Sequence, residues 1–150
     1  MNRLQRCFVG LLLASVVINI NAAENIYTGF FGNTALGGYD AVSYFEMSKA
    51  EKGNKNFATE HKGVVWHFSS EAHLNMFKRA PEKYMPQYGG FCAWAVAVKK
   101  TRASGDPEYW KIVNGKLYLN YDKKVQTEWL QDIEGHIAKG DDNWPTMLAD

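Results

Sequence analysis

The side chains with the most chemical capacity in this sequence are one thiol and two imidazoles: Cys92, His67 and His73. Cys92 follows Gly89-Gly90, where the lack of a Cβ lets the backbone approach another group closely. Phe91–Val98 carries Phe91, Trp94, Ala95 and Val98 at helical spacing, which predicts a helix with Cys92 in its first turn. There the helix dipole would lower the thiol pKa and favour a thiolate, which is a soft metal ligand or a nucleophile. The competing reading is a small apolar residue packed beside Trp94. His67 falls on the strand face opposite Trp66 and Phe68, and His73 lies on the following helix near Phe77. Both flank one hairpin–helix junction and are placed to converge. Imidazole plus thiolate suits Cu(I) or Zn(II). The competing reading for each is a surface histidine, which is also the reading of His61 and His136.

A second set combines rings with hydrogen-bonding tips. Tyr39, Asp40, Tyr88, Trp94, Asn120 and Tyr121 are the ligand-binding candidates, with Tyr44 beside them. Such groups line ligand pockets, and they equally build a core that satisfies its own hydroxyls. Asp40 is the one charge in the set, and a buried partner or a capping role fits it as well as catalysis. There is no HExxH, no GxSxG, no phosphate loop and no CxxC. No residue is assigned as catalytic.

The elements that must position these residues follow from the pattern of the chain. Phe57–Ser69 predicts a hairpin: Val64, Trp66 and Phe68 alternate with Val65, His67 and Ser69, and Lys62-Gly63 sits at the turn. Ser48–Asn56 reads as a polar loop before it. Ser69 or Ser70 caps a short helix whose apolar side is Ala72, Met76 and Phe77. Thr101–Pro107 is a loop, and Tyr109–Tyr121 is a second hairpin with Asn114-Gly115 as a type I′ turn. Val125, Trp129, Ile133 and Ile137 predict one helix over Lys123–Lys139, ended by Gly140 with Pro145 beyond. Hairpins alternating with short helices give an α+β fold of small antiparallel sheets with a longer C-terminal helix. The sequence displays no internal repeat and no low-complexity linker.

Residues 1–23 read as a cleavable signal peptide: Arg3 and Arg6, the apolar run Phe8–Ile18, then small residues at Ala22 and Ala23. The expected organisation is signal peptide 1–23, an irregular lead-in 24–36 and one domain over 37–148. Cleavage removes Cys7 and leaves Cys92 unpaired in an oxidising compartment, periplasmic or extracellular. It also leaves 15 basic against 16 acidic side chains, with no basic block, so nothing electrostatic points to nucleic acid or an anionic membrane. No stable membrane anchor is expected after cleavage.

Five blocks carry a family resemblance: Gly38–Phe45 (GYDAVSYF), Ala80–Tyr84 (APEKY), Gln87–Val96 (QYGGFCAWAV), Leu117–Tyr121 (LYLNY) and Asn143-Trp144-Pro145. In these the chain resembles the YHS-domain family, and more narrowly its exported single-domain branch, over about residues 37–148. The resemblance implies transition-metal handling, since metal-type members carry cysteines around a hairpin and the following helix and include segments attached to copper-transporting pumps. Here Ser69 and His73 stand where those cysteines are expected, and Tyr39-Asp40 occupy the region of the early cysteine. A thiolate-rich site is excluded by composition, whereas a mixed one is not.

Three functions therefore stand as expectations. The first is an exported YHS-type binding module, taking a copper or zinc ion or a small ligand near Cys92 with His67 or His73 assisting. The second is a thiol-based redox enzyme or sensor using Cys92. The third is a non-catalytic structural or partner-binding domain.

Overall fold

The computed structural model describes residues 25–29 and 32–149. The expected signal peptide lies outside the described residues. The architecture is α+β: two two-stranded antiparallel sheets, short helices and a longer C-terminal helix. β1 (Asn54–His61) pairs with β2 (Val64–Phe68), and β3 (Asp106–Val113) pairs with β4 (Lys116–Asn120). The helices are α1 (Ser43–Glu46), α2 (Glu71–Arg79), α3 (Pro81–Tyr84), α4 (Lys123–Leu130) and α5 (Ile133–Leu148). β1 begins inside the expected polar loop.

The structure corrects the reading that the chain has no repeat. Adding 52 to the residue numbers of the first hairpin, 54–61 and 64–68, gives those of the second, 106–113 and 116–120. The register follows: Ala58 pairs with His67 and Trp110 with Leu119, each after a break in pairing that begins at Asn54 or Asp106. The 3-10 turns Ala35–Gly38 and Gln87–Gly90 keep the same offset. So do the residues forced into left-handed backbone. Leu36 and Tyr88 have φ of 55° and 54°, Ser48 and Lys100 have 53° and 50°, and Lys62 and Asn114 have 52° and 50°. The domain is thus two copies of one unit, with α3 in the link and α5 added after the second.

Identity does not reveal this relation. Between residues 35–79 and their counterparts 87–131 only Gly37/Gly89, Gly38/Gly90, Ala41/Ala93, Gly53/Gly105 and Gly63/Gly115 coincide. What repeats is physical role. Ser70 accepts from His73 N at the start of α2, and Asp122 accepts from Val125 N at the start of α4. Trp66 packs on Phe77 with ring centroids 5.0 Å apart, and Tyr118 packs on Trp129 at 5.4 Å. Gly63 and Gly115 follow left-handed residues in turns where φ must be positive twice, the type I′ requirement.

Two further expectations change. The helix expected over Lys123–Lys139 is two helices, broken at Gln131-Asp132, where the Asp132 carboxylate accepts from Gly135 N and starts α5. α5 then runs through Gly140 and contains Pro145. The lead-in 24–36 is not peripheral either. Ile26, Ala35 and Leu36 are buried, and Asn33 O accepts from Val65 N.

α5 has no counterpart after the first unit, and this asymmetry shows in the strands. β2 is buried on one face only, through Val64, Trp66 and Phe68, whereas Leu117, Tyr118, Leu119 and Asn120 of β4 are all buried. Leu117 and Leu119 join the cluster that holds Trp66 and Phe77; Tyr118 joins a second cluster with Tyr88, Trp129 and Met147. Gly140 lets Tyr88 reach α5: a Cβ there would lie 2.4 Å from the Tyr88 hydroxyl. Tyr88 is held in place, because its Oη donates to Asp141 Oδ1 at 2.9 Å and lies 3.3 Å from Ile137 O, a second acceptor for the same proton. Gly140→Ala is therefore expected to destabilise the protein by about 1–3 kcal/mol through overpacking. Alanine's advantage in a helix interior, about 0.5–1 kcal/mol, is too small to reverse the sign. Urea unfolding of the variant checks it, and a gain in stability would contradict the fixed position of Tyr88.

Candidate functional site

Asp40 is the most heavily bonded of the predicted site residues, and it is 0% exposed. It follows the Ala35–Gly38 turn, and its Oδ1 accepts from Val42 N at 2.8 Å and Ser43 N at 3.3 Å. Its Oδ2 accepts from Ser69 N at 2.9 Å, Ser69 Oγ at 2.8 Å and His73 Nδ1 at 2.6 Å. The first segment, the end of β2 and helix α2 therefore meet at one carboxylate. Ser69 Oγ also lies 3.3 Å from His73 Nδ1, the ring nitrogen already turned to Asp40. A Ser-His-Asp relay needs the hydroxyl at the opposite nitrogen, so these three residues do not form one. Nδ1–H donation to the carboxylate leaves Nε2 as the ring nitrogen not engaged by Asp40.

Cys92 is the counterpart of Asp40 one repeat later, and it too is 0% exposed. The expectation that it lies within a helix is corrected. Phe91 and Cys92 are extended and form bridges to Ser104 and Leu119, and the helical stretch starts at Ala93 and becomes a π-helix over Ala95–Lys99. Burial pushes the thiol pKa up. Hydrogen bonds from the backbone N–H groups of Ala95, Tyr121 and Trp94 pull the other way and do not reverse it. Burial thus works against the thiolate that a helix start would favour. Asn120 lies beside it: its Oδ1 is 3.8 Å from Cys92 Sγ and accepts from Trp94 N at 3.2 Å. Asn120 is also 0% exposed, and its Nδ2 has no hydrogen-bond partner among the described residues.

The repeat separates the metal-ligand candidates. His67 and His73 belong to the first unit and Cys92 to the second. His73 is turned to Asp40, and the His67 ring packs over Gly38, where an added Cβ would sit 3.5 Å from Nδ1. Among the described residues no group of three or more His, Cys, Asp and Glu side chains is placed to hold a metal ion. His67 does face away from Trp66 and Phe68, as the alternation of β2 predicts. Ser69 and Ser70, read from sequence only as rival caps, divide the work: Ser70 caps α2 and Ser69 binds Asp40.

The remaining candidates divide between core and surface. Tyr88 is tied to α5, as described. Tyr44 is buried and donates to Pro107 O at 3.0 Å, a bond from the first unit to the second. Tyr39 is half-buried, donates to Glu108 Oε1 at 2.7 Å and lies beneath Lys52 Nζ. Trp94 is half-buried, with Lys99 over its ring. Tyr121 is 53% exposed, and its ring borders a cleft of about 470 Å³ that Tyr27, Gly37, Gly105, Asp106 and Pro107 help to line. A cleft of about 500 Å³ elsewhere is lined by Lys62, Glu82, Tyr88, Lys116, Asp141 and Trp144 among others.

No family model matches the chain, and no curated protein and no solved structure matches it.

Two predictions follow from the geometry. Asp40→Ala leaves the buried donors of Val42, Ser43, Ser69 and His73 without an acceptor. It is expected to cost more than about 3 kcal/mol, because several buried donors each lose a hydrogen bond to a charged acceptor. Ser69→Ala, which removes one hydroxyl donor, is expected to cost about 0.5–1.5 kcal/mol. Equal losses in denaturant unfolding would show that the carboxylate is not the hub. The second concerns pH. The Glu108 hydrogen bond raises the Tyr39 pKa, burial raises those of Tyr44 and Tyr88, and burial pushes Tyr118 up to about 12. These raised values keep the phenols protonated in the fold. Their contribution is intact below the unfolded value near 10 and is lost as pH climbs through about 10–12. Absorbance at 295 nm should show four of the eight tyrosines ionising late, together with unfolding. Eight tyrosines titrating together near pH 10 in a folded protein would contradict it.

Proposed function

We propose that this chain is an exported, non-enzymatic binding module of the YHS type, and that its small ligand sits in the cleft beside Tyr121, over Cys92. The observation that carries the reading is the exposed Tyr121 ring on the wall of that cleft, at 53% exposure.

The lining suits a ligand with hydrogen-bond donors or positive charge. Asp106 supplies a carboxylate, and Tyr27 and Tyr121 supply aromatic rings. The resemblance to the YHS family and its link to metal handling make copper and zinc the first cations to try. His67 and His73 are not ligands in this reading, because both belong to the first unit. A thiol enzyme is not adopted, because its nucleophile must be ionised and reachable, whereas Cys92 is 0% exposed and burial raises its thiol pKa.

Thermal unfolding of the mature protein with copper(I), zinc(II) and a panel of small organic amines tests the proposal. At least one probe is expected to raise Tm in a concentration-dependent way. Tyr121→Ala is expected to weaken that probe's binding by at least about tenfold, a loss of about 1.4 kcal/mol. A panel without any stabilising probe, or stabilisation unchanged in Tyr121→Ala, would sink it.

A further inference from the structure

The equivalence of the two units compares two buried sites atom by atom. In the first, the N–H groups of Val42, Ser43 and Ser69 hold the two oxygens of the Asp40 carboxylate. In the second, the N–H groups of Ala95 and Tyr121 are turned to the Cys92 sulfur, and that of Trp94 donates to Asn120 Oδ1, 3.8 Å from it. These are the same three positions 52 residues later. A cradle that holds two anionic oxygens in one unit therefore surrounds a single sulfur in the other, and a thiol sulfur is a weak acceptor. Asn120 adds an independent observation. Its Oδ1 is fixed by Trp94 N, and its Nδ2, in the same fully buried amide against Cys92, donates to nothing among the described residues. The site is rich in donors and short of acceptors.

We propose that Cys92 is an oxidation site, and that its product, a cysteine sulfinate, is held in the second unit as the Asp40 carboxylate is held in the first. The sulfinate places two oxygens and one negative charge on the first atom beyond Cβ, as the aspartate side chain does. Its oxygens take the N–H groups of Ala95 and Tyr121, Trp94 N–H stays with Asn120 Oδ1, and one oxygen takes the idle Asn120 Nδ2 proton. The oxidant is hydrogen peroxide. Local opening exposes the thiol to water, where it ionises. The sulfur attacks one peroxide oxygen, an S–O bond forms as the O–O bond breaks, and the departing hydroxide takes up the proton that the thiol released. Sulfur loses two electrons, the peroxide gains two, and the products are a sulfenic acid and water. A second peroxide repeats the exchange and gives the sulfinic acid and water; loss of a proton leaves the sulfinate. This inference does not rest on the binding reading above.

The test treats the mature protein and its Cys92→Ala variant in parallel with hydrogen peroxide. Peptide mass spectrometry is the first readout and Tm the second. Cys92 is expected to gain two oxygen atoms and stop there. The wild-type Tm, corrected for the change in the treated Cys92→Ala variant, is expected to hold or rise. The correction removes the effect of methionine oxidation, for which the exposed Met47 is the internal marker. Cys92→Asp, which mimics the product, is expected to be at least as stable at neutral pH as Cys92→Ala. The proposal is overturned by a Cys92 that stays unmodified once Met47 is fully oxidised, by oxidation that runs on to three oxygens, by a corrected fall in Tm, or by a Cys92→Asp variant less stable than Cys92→Ala.

Discussion

A carboxylate taken wholly out of water must have its lone pairs met, or it will not stay charged and in place. Asp40 is where this fold meets that requirement, and much of the first unit is arranged around it. The turn at Leu36–Gly38 reverses the chain so that Val42 N and Ser43 N point back at Oδ1. The end of β2 must arrive where Ser69 N and Oγ reach Oδ2, and α2 must start so that His73 lies one turn in. Apolar packing of Trp66, Phe68 and Phe77 supplies the bulk of the adhesion. It tolerates small slides, whereas five directed bonds to two oxygens do not. The carboxylate thus sets the register of elements that the aromatic rings then glue.

The second unit keeps the cradle and changes its content. Cys92 replaces the carboxylate, Tyr121 keeps the backbone donor of Ser69 without its hydroxyl, and Val125 stands where His73 stood. With the charge gone, the side-chain donors that served it are gone as well, and Asn120 appears where the first unit has Phe68. Burial on both faces of β4 takes over the work of fixing position, and α5 makes that burial possible. The two units show one backbone held by two means, one ionic and local, the other apolar and dependent on an added helix.

The sequence makes the hairpins legible because β-strand alternation and Lys62-Gly63 or Asn114-Gly115 turns are local signals. The α+β class follows from them. The break at Asp132 is harder to read, since Val125, Trp129, Ile133 and Ile137 keep a four-residue spacing through it; Asp132 with Gly135 three residues on is the capping signal that was there to find. The duplication is nearly invisible to identity, because the features that recur are signs of φ, cap positions and ring sizes. The paired glycines 37-38 and 89-90 and the glycines 53 and 105 are its trace. In the site, Asp40 and Asn120 are picked out as polar residues in aromatic company, but their partners are not, because Ser69 and Trp94 N lie 29 and 26 residues away. The depressed thiol pKa fails for a related reason: it assumes a helix start at a solvent-facing end, and tertiary burial decides the direction instead.

The offset between the units never drifts through the loops, where chains usually gain and lose residues most freely. The loop before each hairpin explains why. It returns to pair with the segment it left, Lys52 with Tyr39 and Ser104 with Phe91, and it delivers the N–H of Asp40 to Glu51 O and that of Cys92 to Ala103 O. Gly53 and Gly105 then pass so close to the strand behind them that a Cβ would overlap His67 or Leu119. A connection anchored at both ends and pressed against a strand in its middle has no slack to take up an inserted residue. Each loop acts as a ruler, and its fixed length meters out the distance from the buried acceptor to the sheet that closes over it.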